Sequence, residues 1–118
     1  MIKISLDEAY VFDMLSVMDI KIDLLSGIKL ETVKMAHSVL SQEIVDQIGV
    51  EKYFEVIKSK EYKDMIRSNK NVFDLIDQSK NDNGLAKITD DANYDRYLKK
   101  VSLQERFFNN GLTETKNR

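Results

Sequence analysis

From Asp7 onward, apolar residues recur at helical steps: Val11, Met14, Leu15, Met18, Ile22 and Leu25. Such spacing marks one face of an α-helix. Tyr10, Val17 and Leu24 lie seven apart and draw a second stripe on the same helix. So wide an apolar surface predicts contact with two or more neighbours. Ser5 and Glu8 fit a capping box, in which each side chain satisfies the other's exposed backbone N–H. The helix is expected to end near Gly27. A second helix is predicted from Glu31 to Ile48 through Val33, Ala36, Leu40 and Ile44, and Gly49 stops it.

A short helical turn follows over Val50 to Lys58, carrying Tyr53, Phe54 and Ile57. Ser59 can cap the next helix, whose stripe is Tyr62, Met65, Ile66, Phe73 and Ile76. Asn83-Gly84 signals a turn. Thr89 reads as the N-cap of the last helix, with Asp90 and Asp91 set against its positive end. The main face of that helix is Tyr94, Tyr97, Leu98, Val101 and Phe108, and a polar tail, LTETKNR, follows Asn110-Gly111. Strand-like alternation is confined to the opening MIKIS. The expected fold is all-α, an antiparallel bundle of four main helices plus a short one, formed by residues 1–118 as a single domain.

Composition narrows the function classes. A chain of 118 residues with 42% hydrophobic content can bury a core without disulfides or metals. Cysteine is absent, which removes thiolate metal sites and Cys nucleophiles and suits a reducing cytoplasm. Eighteen basic against twenty acidic residues leave a net charge of −2 without a basic cluster, so nucleic acid is a disfavoured partner. The acids in MIKISLDEAY argue against a signal peptide, and no apolar run reaches the length of a membrane span. A cytoplasmic protein with no membrane association is expected.

Polar residues inside apolar stripes are the candidate site. Asn69 lies four after Met65 and four before Phe73, within the seam of its helix, and Asp77 extends the same line. A buried amide must be paired, so Asn69 is expected to bond to a facing helix, fixing its register. Asn93, Arg96 and Lys100 share one side of the last helix, in the stretch DDANYDRYLKK. There the tyrosines should point inward and the three polar residues should line the edge of a groove. Arg96 should hold a carboxylate, Asp77 first and Glu8 second, or a bound anion. Together Glu8, Asn69, Asp77, Asn93, Arg96 and Lys100 form the candidate polar cluster or anion site.

His37 reads as a boundary residue, because Lys34 occupies the place a Glu-x-x-His metal pair would need. Asp19 and Asp23 read as a solvated face beside Lys21. Neither a phosphate loop nor a nucleophile elbow is present, and no cofactor or metal is expected. The apolar residues Tyr10, Val17 and Leu24, with Ala92, Leu103 and Phe107 opposite the main face of the last helix, predict a homodimer.

The segments SLDEAYVFDMLSVMDIKID, NKNVFDLID and NYDRYLKK resemble a small all-helical family of uncharacterised function found in bacteria and phages, some members of which are encoded near sugar-transfer genes. Ser5, Glu8, Leu15, Ser16, Ile20 and Lys21 match its opening, and Asn69, Phe73, Asp77, Asn93, Arg96 and Lys99 its later helices. The chain lacks the tryptophan that members often carry in the third helix. This resemblance implies a helical fold and a polar cluster, and the function expected is that of a small interaction or accessory protein. The alternative comes from a fainter similarity to all-α magnesium-dependent nucleotide pyrophosphohydrolases. Lys87, Asn93 and Arg96 would stand for their phosphate-binding group, and Glu8, Asp74 and Asp77 for their metal-binding acids.

Overall fold

In a computed structural model the chain is described over residues 2, 5–79 and 86–108, apart from the side chains of 77–79 and 86. Five helices follow one another: α1 (Glu8–Leu24), α2 (Gly27–Ile48), α3 (Val50–Ile57), α4 (Lys60–Ser79) and α5 (Ala86–Phe107). No strand occurs among the described residues. The molecule is an all-α bundle. Its side-chain ties set the directions: Asp19 to His37, Asp13 to Asn69 and Asp19 to Tyr62, Asp13 to Arg96, and Ser68 to Asp95. Along α1, Asp13 and Asp19 meet Asn69 and Tyr62 in reversed order, so α1 and α4 run in opposite directions.

Several boundaries move from their expected places. Asp7, not Ser5, caps α1, its Oδ1 accepting the Tyr10 N–H at 2.8 Å. The helix starts at Glu8, which leaves Ser5 too far upstream to serve. Helix α1 stops at Leu24, and Gly27 opens α2 rather than closing α1. With φ of +65°, Gly27 takes the left-handed conformation that lets the chain reverse within two linking residues. Helix α2 therefore begins four residues before Glu31. Ser59 caps α4 as expected, accepting the Tyr62 N–H at 3.1 Å. Helix α5 begins at Ala86, which places Thr89 inside the helix instead of at its cap. The Asn83-Gly84 and Asn110-Gly111 signals, the polar tail and all of MIKIS but Ile2 and Ser5 lie outside the described residues.

Helix α1 occupies the middle of the bundle, against α2, α4 and α5. A helix covered on three sides needs no single apolar stripe. Its buried residues are Ala9, Phe12, Asp13, Leu15, Ser16 and Ile20, whereas Met14, expected in the core, is exposed. Phe12 is the hub, with ring centroids 6.4, 6.1 and 6.0 Å from those of Tyr53, Tyr62 and Phe108. Val56, Met65, Leu103 and Phe107 complete that core.

Helix α5 is turned relative to the expectation. Ala92, Leu103 and Phe107 are buried, while Leu98 is exposed and Tyr94, Tyr97 and Val101 are half-buried. The core-facing side runs Ala92, Arg96, Leu103, Gln104, Phe107, so two polar residues interrupt it and disguise it as a wet face. That orientation removes the α5 half of the surface expected to join two copies. Outside the core, Arg106 of α5 pairs with Glu61 of α4, and the guanidinium holds the Glu61 carboxyl below its ordinary range. None of the described helices is long and apolar enough to cross a membrane.

Candidate functional site

The polar residues interrupting the buried faces of α1, α4 and α5 meet one another. Asp13 and Ser16 come from α1, Asn69 from α4 and Arg96 from α5. Arg96 donates Nη2 to Asp13 Oδ2 at 2.7 Å and Nε to Oδ1 at 3.4 Å, a two-point grip. Asn69 donates Nδ2 to Asp13 Oδ1 at 2.8 Å and to Ser16 Oγ at 2.7 Å. Ser16 in turn donates to the Asp13 carbonyl at 2.7 Å. An ionised carboxylate only accepts, so it dictates which end of the Asn69 amide faces it. The opposite end, Oδ1, is buried with no hydrogen-bond partner.

Asn69 is thus buried and bonded to a facing helix, as its seam position predicts. Among the described residues, the carboxylate that Arg96 grips is Asp13, which the expectation had not named. In the sequence Asp13 carries no signal of this role, because a lone acid beside Phe12 and Met14 has the pattern of an ordinary helix surface residue. The side chain of Asp77 lies outside the described residues. Glu8 is not part of this cluster. It meets Gln104 Nε2 at 3.4 Å, while Gln104 Oε1 accepts the Ala9 N–H at 2.8 Å and Nε2 donates to the Phe108 carbonyl at 3.0 Å. One buried amide thereby serves an N–H in the first turn of α1 and a carbonyl just past the end of α5.

Above the Asp13–Arg96 pair, α1 and α5 diverge into an open groove of about 910 Å³. Tyr10, Met14, Val17, Met18 and Lys21 line it from α1, and Asp90, Asn93, Tyr94, Tyr97 and Lys100 from α5. Asn93, Arg96 and Lys100 do line a groove, but Tyr94 and Tyr97 line it with them instead of pointing into the core. The two rings stack at 5.8 Å, and Lys100 Nζ sits 5.4 Å from the centre of the Tyr10 ring. The groove is therefore aromatic and thioether-walled, with Lys100 near one end and Lys21 near the other.

No family model, curated protein or solved structure matches this chain.

A second network lies on the far side of α1. His37 Nε2 is 2.7 Å from Asp19 Oδ1, and the Tyr62 hydroxyl donates to Asp19 Oδ2 at 2.6 Å. Ser41 Oγ is 3.4 Å from His37 Nδ1 and accepts the Tyr53 hydroxyl at 3.2 Å. Asp19 is thus an anchor joining α2 and α4 to α1, rather than a solvated acid, and His37 is its partner. Burial, then the hydrogen bond to Asp19, push the Tyr62 hydroxyl far above its ordinary pKa, so it remains a donor. Although serine, histidine and aspartate stand in sequence here, they lie outside the groove between α1 and α5.

The acids of the hydrolase alternative are dispersed. Asp74 is exposed on α4, and Glu8 is engaged with Gln104. The sequence holds two pairs of acids at Glu-x-x-Asp spacing, Glu43 with Asp46 and Glu61 with Asp64, and of these Glu61 is held by Arg106 and Asp64 pairs with Arg67. No group of three potential metal ligands converges among the described residues.

Replacing Asn69 by Ala should cost about 1–3 kcal/mol, because it strips Asp13 and Ser16 of a donor in a dry interface. Urea melts would measure it, and a change near zero would mean that the amide contributes nothing to the bundle.

Proposed function

We propose that this chain is a small interaction protein that holds a partner segment in the groove between α1 and α5. The observation carrying this reading is the composition of that groove: Met14, Met18, Tyr10, Tyr94 and Tyr97 around an ion pair whose carboxylate is buried. Methionine adapts to varied shapes, and tyrosine offers large contact area with few torsions to freeze. The α1 wall from Tyr10 to Lys21 spans about 16 Å at 1.5 Å per residue, enough for three turns of a helix. Arg96 spends its charge on Asp13, while Lys21 and Lys100 outnumber Asp90 along the rim. The occupant that fits is an amphipathic helix with an apolar face flanked by acidic residues.

The ion pair beneath the groove serves as its foundation. It holds α5 against α1 at one fixed depth, so the walls are preformed and less ordering is required on binding. Catalysis has no comparable support, since the polar groups here satisfy one another rather than converge on an open reacting position.

The test uses a labelled synthetic peptide of about 15 residues, long enough for three to four turns, with leucines at helical spacing and glutamates on both flanks. Fluorescence anisotropy should show saturable binding that weakens with salt and with Lys21→Glu or Lys100→Glu. A lysine-flanked control peptide should bind less well. Equal binding of both peptides, or none of the acidic one, would sink the reading.

A further inference from the structure

We infer that the outward face of α2 pairs two copies of this chain in antiparallel fashion, independently of the α1–α5 groove. Helix α2 packs only on its sequence neighbours α1 and α3 to any extent, and of its twenty-two residues Ile44 alone is buried. The side turned to α1 carries Val33, His37, Leu40 and Ile44. On the opposite side, Ile28, Thr32, Met35 and Val39 advance by steps of four, three and four. That is the seam spacing of a two-stranded helical pair. It is also bare: Ile28, Met35 and Val39 are 86%, 72% and 54% exposed. Three large apolar side chains in line on a helix's solvent side mark a contact surface.

The charges beside this seam select the occupant. Lys29, Ala36 and Glu43 run along one flank at seven-residue intervals. In an antiparallel pair each flank meets its own copy, so Lys29 faces Glu43 of the second copy, and the reverse, on either side of the two-fold axis. Ala36 falls between them, where a small side chain permits close approach. Around the axis, Met35 packs on Val39 of the second copy. A parallel pair would set Lys29 beside Leu24 and Glu43 beside Ser38, bringing no opposite charges together. Neither Lys29 nor Glu43 has an ion-pair partner within the chain among the described residues. The face is thus self-complementary in one orientation, which favours a second copy over an unrelated protein.

Light scattering at high micromolar concentration should give the mass of a dimer. Met35→Glu should yield a monomer with unchanged helical circular dichroism, since the residue supports no packing within the chain. Lys29→Glu and Glu43→Lys should each weaken the dimer about tenfold, and the double exchange should restore it. A monomeric parent chain, or a dimer surviving Met35→Glu, would overturn the assignment. So would a double exchange that stays as weak as the single ones. A dimer joined through the groove would instead be broken by Val17→Glu, which here leaves the mass unchanged. Acidic-peptide binding by the Met35→Glu monomer reports on the groove separately.

Discussion

Asp13→Ala should lower the unfolding free energy by about 3 kcal/mol, the lower end of the range for deleting one partner of a buried ion pair. Asp13 is 4% exposed and has Arg96 and Asn69 as its donors, so its removal strands a guanidinium and an amide together. Arg96 retains 32% exposure, and water reaching its free edge keeps the loss from the upper end. Asp13→Asn should cost less. There the Asn69 amide can turn round, offering Oδ1 to the new amide N–H and leaving Nδ2 without a partner instead. Adding Arg96→Met to Asp13→Ala should recover part of the loss, because the stranded charge is then gone. Urea midpoints of the parent and the three variants at one pH measure all three statements. A loss below about 1 kcal/mol for Asp13→Ala would show that the pair does not anchor α5, and the preformed groove would go with it.

Phe12→Ala should cost about 3–5 kcal/mol, whereas Met14→Ala, two residues away, should fall within about 0.5 kcal/mol of the parent. Phe12 is 1% exposed and touches aromatic rings from α3, α4 and the end of α5, so its truncation opens a cavity at the meeting point of the bundle. Met14 is 40% exposed on the groove wall. The same denaturant series separates them, and comparable costs at both positions would mean that α1 is rotated from the orientation described. Met14→Ala should instead weaken capture of the acidic peptide.

The contrast between these neighbours shows where periodicity misled. Counting apolar residues along α1 favours Met14, Met18 and Ile22, which recur neatly, over Phe12, which has no apolar residue four places before or after it. The face that is buried contains Asp13 and Ser16, and a residue-by-residue count scores both as solvent positions. On α5 the same effect is larger, since Arg96 and Gln104 interrupt the buried face while Tyr94, Leu98 and Val101 give the opposite side a cleaner stripe. Each polar interruption is tolerated because a polar group far along the chain, a side chain or a backbone N–H, answers it. Those answers cross 83 residues for Arg96 with Asp13 and 95 for Gln104 with Ala9.

The amino-acid sequence by itself determined what depends on local chemistry. Helical spacing and the absence of proline set five helices, Gly49 separated α2 from α3, and Ser59 opened α4 through its own hydroxyl. Asn69 was legible too, because a polar residue enclosed by Met65, Ile66 and Phe73 has no solvated side to turn to. Only the tertiary structure decided which faces of α1 and α5 are buried, that Asp13 is the carboxylate beneath Arg96, and that the tyrosines of DDANYDRYLKK wall a groove. Those outcomes rest on buried polar groups, whose cost in isolation is several kcal/mol and whose cost when paired is small. A pattern of single residues records the first quantity, and the fold chooses by the second.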